Sequence, residues 1–325
     1  MLLDIIFLLL GLTLILVGAN CLTDGASAIA RRWGVSDLVI GLTVVAFGTS
    51  APELVISIVS AMEGTSELAI GNVVGSNIFN VLVIIGITAM VVPVKIGRSI
   101  MSNEIPLVIL SALALLAIGN GPLLDNGGNM AVTRVDGILL LLFFMIFMRY
   151  TFSQAKNAPA GDPAEEDAAA KRPMPMWKAV TWVIGGLAAL VYGGDRFVAG
   201  ASGIASGLGV SDAIIGLTIV AAGTSLPELA TSVTAALKGK TGIALGNVIG
   251  SNIFNIFLVL GVTATVRPLP FGSIGNIDLL VLSGACLLFW IFGWFFKERT
   301  ITRIEGAVMT SCYIGYVAYL ISCAT

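Results

Sequence analysis

Long apolar stretches separated by short polar connections run through the whole chain. Ten of them approach the roughly 20 residues that a helix needs to cross a bilayer. The ten predicted spans are Leu2–Ala30, Leu38–Met62, Leu68–Val92, Ile105–Ile118, Val135–Tyr150, Trp177–Ile204, Ala213–Leu237, Ile243–Val266, Ile277–Phe296 and Ile304–Cys323. Only the connection at residues 152–176 is long, and its Pro, Ala, Gly and acidic residues predict a flexible linker. It separates a first five-helix half, residues 1–151, from a second, residues 177–325.

The two halves carry the same segment. Residues 37–94 align with residues 212–269 without a gap, and 31 of the 58 positions are identical. With five spans in each half, the second half must enter the membrane from the opposite side. The fold class that we predict is therefore an all-α integral membrane protein with ten transmembrane helices, arranged as two inverted five-helix repeats.

The basic residues predict the orientation. Of the 17 Lys and Arg residues, 14 fall on the face that holds connections 1–2, 3–4, 5–6, 7–8 and 9–10. The positive-inside rule makes that face cytoplasmic. We therefore expect the linker at residues 152–176 in the cytoplasm, both termini outside, and the protein in the cell (inner) membrane.

The composition limits which partners and which metal ions the protein can bind. The chain of 325 residues is 57% hydrophobic and only 11% charged, against about a quarter charged in soluble domains. Its net charge of -2 excludes the basic footprint of a nucleic-acid-binding protein. Because the chain has no His, a metal ion must be held by oxygen atoms, which suits calcium or sodium. We expect no cofactor, and partners limited to the lipid bilayer and inorganic cations, with the monomer as the functional unit.

Each repeat places one carboxylate, Glu53 or Glu228, inside an otherwise apolar stretch. Two ionised carboxylates at membrane depth are costly and repel each other, so a cation between them is the simplest explanation. Oxygen-bearing neighbours at helical spacing support a cation site. Those predicted to share a face with each other or to flank a glutamate are Thr49, Ser50, Ser76 and Asn80 in the first repeat, and Thr224, Ser225, Ser251 and Asn255 in the second.

Proline and glycine predict a broken helix at each glutamate. Pro52 and Pro227 cannot donate a backbone hydrogen bond, so the helix should kink at the carbonyls four residues earlier, Gly48 and Gly223. The kink would free nearby carbonyl oxygens, including those of Ala46 and Ala221, as ligands. Other polar residues have two interpretations. Ser57, Thr43, Thr88 and their partners are interpreted as helix-packing residues, whereas Asn72, Asn77, Asn247 and Asn252 either add ligands or crosslink helices.

The motifs GTSxPE and GNVxGSNIFN, present in both repeats, resemble the sodium/calcium exchanger family within the cation/calcium antiporter group. The resemblance covers essentially the whole chain and is greatest to compact prokaryotic members without a large regulatory loop. It implies eight core helices, with long helices 1 and 6 sliding against them. The ion ligands that it implies are Glu53 and Glu228 for calcium, then Thr49, Ser50, Thr224, Ser225, Ser76, Ser251, Asn80, Asn255 and the carbonyls of Ala46 and Ala221. Many members carry Asp at one of the positions of Asn80 and Asn255; this chain has Asn at both.

The predicted function is sodium/calcium antiport by alternating access at one oxygen-lined site near the middle of the membrane, without enzyme activity. A calcium/proton antiporter and a potassium-dependent sodium/calcium exchanger remain alternatives, since the coupling ion cannot be read from the residues. A passive channel is a further alternative. A membrane hydrolase would need a nucleophile and base, for which the motifs offer no residues. Asp195 could form an ion pair with the adjacent Arg196 or line the ion path.

Overall fold

The computed structural model describes residues 2–121, 130–157, 174–208, 221–295 and 297–324. Helices dominate these residues and fall into two matching sets of six. The first set is α1 Leu2–Trp33, α2 Asp37–Thr49, α3 Ala51–Glu63, α4 Ser66–Val91, α5 Ile100–Gly119 and α6 Arg134–Asn157. The second set is α7 Met176–Gly207, α8 Ala221–Gly223, α9 Leu226–Leu237, α10 Thr241–Val266, α11 Asn276–Phe295 and α12 Arg303–Ala324.

The helices confirm an all-α membrane protein. Within the described residues, eight helices are long and apolar enough to cross a bilayer, and α2 with α3 makes a ninth span bent by 42°. The predicted seventh span, Ala213–Leu237, lies partly outside the described residues, which omit 209–220. Most of the predicted linker, at residues 158–173, also lies outside them.

Helices α4 and α10 form the centre of the bundle. In the 18-residue apolar stretch of each helix, 83% of the residues are buried in α4 and 94% in α10. The same fraction is 11% in α12, at the edge of the bundle. The main hydrophobic cluster joins these two helices to α5 and α11 through side chains such as Ile78, Ile253 and Phe289. In addition, α12 packs on α4 and α6 packs on α10. Each half therefore supplies an outer helix to the other half.

The longest helices, α1 and α7, pack against each other in opposite directions. A Cβ added to Gly18 would lie 2.8 Å from the Gly186 carbonyl oxygen, and one added to Gly25 would lie 2.8 Å from that of Ala179. A Cβ added to Gly193 would lie 3.0 Å from the Gly11 carbonyl oxygen. Because glycine lets two backbones come this close, the contact extends along both helices. With α2, α9 and the first turn of α10 they form a second, smaller hydrophobic cluster.

Two short strand pairs mark the ends of the bundle. Strand β1 (Val94–Lys95), after α4, pairs antiparallel with β4 (Thr300–Ile301), and β2 (Ala131–Val132) pairs antiparallel with β3 (Leu269–Pro270), after α10. Helix α5, with 20 residues, separates β1 from β2 by roughly 30 Å. The two strand pairs therefore lie at opposite ends, and α4 and α10 run in opposite directions.

Candidate cation-binding site

Each of the two glutamates lies in the first turn of a helix that follows a break. Ser50 (φ -85°, ψ 2°) separates α2 from α3, and Ser225 (φ -93°, ψ 5°) directly precedes α9. The kink predicted at Gly48 is therefore two residues too early. Pro52 explains the difference, since proline is well tolerated in the first turn, where the amide that it lacks has no helical partner.

Both carboxylates are deeply buried and belong to one site. Glu53 and Glu228 are each 1% exposed. The Ser50 hydroxyl lies 3.4 Å from Oε1 of Glu228 and donates a hydrogen bond to it, which joins the first repeat to the glutamate of the second. Thr224 is a neighbour of Glu53 as its equivalent Thr49 is of Glu228, and the two carboxyl groups lie within electrostatic range of each other. The structure thus brings together the two halves of the predicted site.

Many oxygen atoms of the predicted ligand set are buried without a hydrogen-bond partner in the part of the chain that the structure describes. Among the described residues, the buried oxygens without one include both carboxylate oxygens of Glu53 and Oε2 of Glu228. The side-chain oxygens of Thr224, Ser225, Ser251, Asn80 and Asn255 share this property. Buried polar atoms are rarely left unsatisfied, because each costs about 1–3 kcal/mol. A hard cation coordinated by oxygen would satisfy them together.

Helices α4 and α10 carry four of the neutral residues that the sequence predicts as ligands, and all four are buried. Ser76 and Ser251 are 3% and 0% exposed, and Asn80 and Asn255 are each 1% exposed. A π-helical turn begins at Asn80 in α4, and another includes Asn255 in α10. Such turns insert one extra residue and frequently occur at functional sites.

The helix break does not free the backbone carbonyl oxygen of Ala46 as fully as the sequence predicts. The Ala46 oxygen accepts the Ser50 amide at 3.0 Å, so the break does not free it completely. In the second repeat the Ser225 amide donates to Ala222 at 3.2 Å, one residue beyond Ala221. A carbonyl has two lone pairs, so a ligand role for Ala46 and Ala221 stays a prediction.

Polar residues around the site crosslink helices. The Asn77 amide donates to the Asn252 carbonyl at 3.2 Å, and the Asn255 amide donates to Asn77 Oδ1 at 3.0 Å. Thr43 donates to the Val39 carbonyl at 2.7 Å within its own helix. The contacts of Asn77 agree with its crosslinking interpretation, whereas the packing role of Thr43 stays a prediction.

Ionic contacts among the described residues also lie away from the glutamates, and one of them joins Lys240 to Asp37 at 3.4 Å. Asp195 and Arg196 form the ion pair considered from the sequence, at 2.5 Å. Lys238, after α9, lies 2.7 Å from Asp24 of α1. Sequence reasoning missed the contact between Lys238 and Asp24, because its partners are 214 residues apart and belong to no shared motif.

Comparison with known proteins identifies the family. The chain matches the family described as sodium/calcium exchanger protein over residues 3–153 and 178–322. The chain belongs to the sodium/calcium exchanger family. CaxA of Alkalimonas amylolytica is 41% identical, with 99% of this chain and 100% of CaxA covered. The sodium/calcium exchanger MaX1 of Methanosarcina acetivorans is 33% identical, with 98% of each covered.

Solved structures of this family share the fold. The sodium-calcium exchanger NCX_Mj, soaked with Na⁺ and Sr²⁺, superposes with a TM-score of 0.82 at 32% identity, with 98% of each chain covered. NCX_Mj was also soaked with Na⁺ and Ca²⁺, and that structure gives a TM-score of 0.81. The bundle described above is therefore the exchanger fold.

Proposed function

We propose that this protein is a secondary antiporter that exchanges sodium for calcium at the site of Glu53 and Glu228. The observation that carries the proposal is the set of buried oxygens from both repeats that lack partners among the described residues. Its relatives point the same way, since MaX1 is named a sodium/calcium exchanger and NCX_Mj was soaked with Na⁺, Ca²⁺ and Sr²⁺. The ligand set that we propose is the one predicted from the sequence.

The charge of the site explains why transport would be coupled. With Asn at positions 80 and 255, Glu53 and Glu228 give the ligand set two negative charges. One calcium ion balances them, as do two sodium ions. An empty site that crossed the membrane would carry two uncompensated charges through a region of low dielectric, which is strongly disfavoured. Exchange of one ion type for the other avoids that state. If three sodium ions moved for one calcium, one net charge would cross, worth about 2.3 kcal/mol per 100 mV.

We propose ten spans in two inverted halves, residues 1–151 and 177–325, joined by a cytoplasmic linker at 152–176. Equivalent helices α1 and α7 run in opposite directions, and the strand pairs place the ends of α4 and α10 at opposite ends of the bundle. Both observations support inversion. With the basic residues on the cytoplasmic face, both termini lie outside the inner membrane.

We propose that α1 and α7 move as a pair against the remaining helices. They belong to the smaller hydrophobic cluster, which touches α10 through Ile243 and Ala244 at its first turn, whereas the main cluster surrounds the rest of α4 and α10. Among the described residues, α1 packs closely on α9 near Lys238, whereas α7 makes few contacts with the equivalent helix α3. The bundle is thus closed at the end where Lys238 meets Asp24. A shift of the α1–α7 pair would open that end and close the other.

Protons are the rival coupling ion, because protonation of Glu53 and Glu228 would also neutralise the empty site. The test is calcium-45 uptake into proteoliposomes loaded with sodium or with choline at equal internal and external pH. Uptake that requires internal sodium supports sodium coupling. Equal uptake in both vesicle types, followed by stimulation with an imposed pH gradient, would replace sodium by protons in the proposal.

A further inference from the structure

Two asparagines outside the predicted ligand set make matching contacts with the two glutamates. Asn72 of α4 and Asn247 of α10 are equivalent residues of the two repeats. The Asn72 side-chain amide lies 3.4 Å from the backbone carbonyl oxygen of Glu53 and 3.3 Å from the Ser57 hydroxyl. The Asn247 amide makes the same two contacts in the second repeat, with the Glu228 carbonyl at 3.2 Å and Ser232 Oγ at 3.0 Å.

These contacts join the helix that carries a glutamate to the helix that carries the neutral ligands. Glu53 and Ser57 are four residues apart and share one face of α3. Asn72, Ser76 and Asn80 follow at the same spacing and share one face of α4. A hydrogen bond from Asn72 to the first turn of α3 therefore fixes Glu53 relative to Ser76 and Asn80. Both N–H groups of the amide are used, which defines its orientation.

Asn247 has a further contact that crosses between the repeats. The hydroxyl of Thr49 donates to Asn247 Oδ1 at 3.0 Å, a shorter distance than its 3.4 Å approach to the Ala46 carbonyl. A hydroxyl has one proton, so donation to Asn247 leaves the lone pairs of Thr49 available to a cation. Thr224, the equivalent of Thr49, has no hydrogen-bond partner among the described residues. Asn247 is 0% exposed, so loss of its amide would leave buried hydrogen-bonding groups without a partner.

We propose that Asn72 and Asn247 are positioning residues of the cation site, and that Asn247 has the larger role because it also orients Thr49. The inference rests on the proposed function. It assigns them no contact with the ion: each acts through a glutamate, and Asn247 also through a threonine. Loss of either amide should therefore weaken the affinity for calcium more than the maximal rate or the stability of the fold.

The experiment measures calcium-45 uptake against calcium concentration, together with thermal unfolding in detergent. For Asn247→Ala we expect the half-saturating calcium concentration to rise about tenfold, and for Asn72→Ala about threefold. The matched control is Asn120→Ala. Asn120 also crosslinks two helices, with its amide 2.7 Å from Asn276 Oδ1, but far from the glutamates. It should leave the calcium dependence unchanged.

A double-mutant cycle separates positioning from general damage. Thr49→Val and Asn247→Ala should be less than additive in their effect on calcium affinity, whereas Thr224→Val and Asn247→Ala should be additive. Additivity in both cycles, or equal changes in affinity for Asn120→Ala and Asn247→Ala, would overturn the inference. If Asn247→Ala does not fold, Asn247→Ser takes its place in the same cycles. Wild-type protein that carries no calcium would refute the proposed function instead, which keeps the two failures distinct.

Discussion

Substitution of a single glycine should test the close contact between α1 and α7. A Cβ added to Gly186 would lie 2.7 Å from the Leu22 amide nitrogen and 2.8 Å from the Gly18 carbonyl oxygen. Ordinary van der Waals contact begins at 3.4 Å, so the two helices would have to separate by 3.4 − 2.7 = 0.7 Å. Backbone atoms cannot rotate away as a side chain can, and such overpacking costs about 1–3 kcal/mol. Gly186→Ala should therefore lower the thermal midpoint in detergent by a few degrees.

The neighbouring glycine provides the control. A Cβ added to Gly185 has no atom within 4 Å among those described, so Gly185→Ala makes the same chemical change without a clash. It should keep both the thermal midpoint and the rate of calcium uptake of the wild type, whereas Gly186→Ala should also slow uptake because the α1–α7 pair can no longer shift as a close-packed unit. Equal behaviour of the two variants in both assays would refute this description of the helix pair.

Two further predictions concern charge. Lys238→Ala removes the contact of 2.7 Å with Asp24, and because both side chains are partly exposed its contribution is about 0–1 kcal/mol. In the Lys238→Ala variant, a cysteine introduced at Ser76 should be labelled from the cytoplasmic side up to about five times faster. Exchange of the two charges between positions 24 and 238 should restore the slower labelling. Unchanged labelling in Lys238→Ala would contradict a closing role for the contact. Asn80→Asp converts a side chain whose buried Oδ1 has no described partner into a third carboxylate, so the half-saturating calcium concentration should fall on the order of tenfold. A rise would contradict a ligand role for position 80.

The repeats and the two buried glutamates were predictable from the sequence, because a carboxylate in an apolar helix is conspicuous and occurs twice in register. The position of the helix break was not. Glycine and proline locate a break only within a few residues. The break falls at Ser50 because Pro52 is tolerated in the first turn of the helix that follows. For Asn72 and Asn247 the sequence allowed two interpretations, ion ligand or helix crosslink, because the oxygen of an amide can coordinate an ion and its N–H groups can donate to a backbone carbonyl.

The α1–α7 contact has a sequence pattern of its own, outside the two repeated motifs. Glycines recur every seven residues at Gly11, Gly18 and Gly25, and again at the equivalent positions Gly186, Gly193 and Gly200. A spacing of seven residues keeps glycine on one face of a helix, which favours close helix contact in membranes. The strand pairs, by contrast, join segments of two residues each, too short to produce a recognisable pattern.

The most direct test of the central claim is calcium-45 uptake into sodium-loaded proteoliposomes by three glutamine variants. Glu53→Gln and Glu228→Gln each remove one negative charge from the site and should abolish sodium-dependent uptake. The matched control is Glu104→Gln, because Glu104 is also buried, at 2% exposure, but accepts a hydrogen bond from Tyr150 at 3.1 Å and lies outside the aligned segments 37–94 and 212–269. The Glu104→Gln variant should exchange calcium at close to the wild-type rate. Uptake that survives in Glu53→Gln and Glu228→Gln would show that exchange does not depend on the two glutamates.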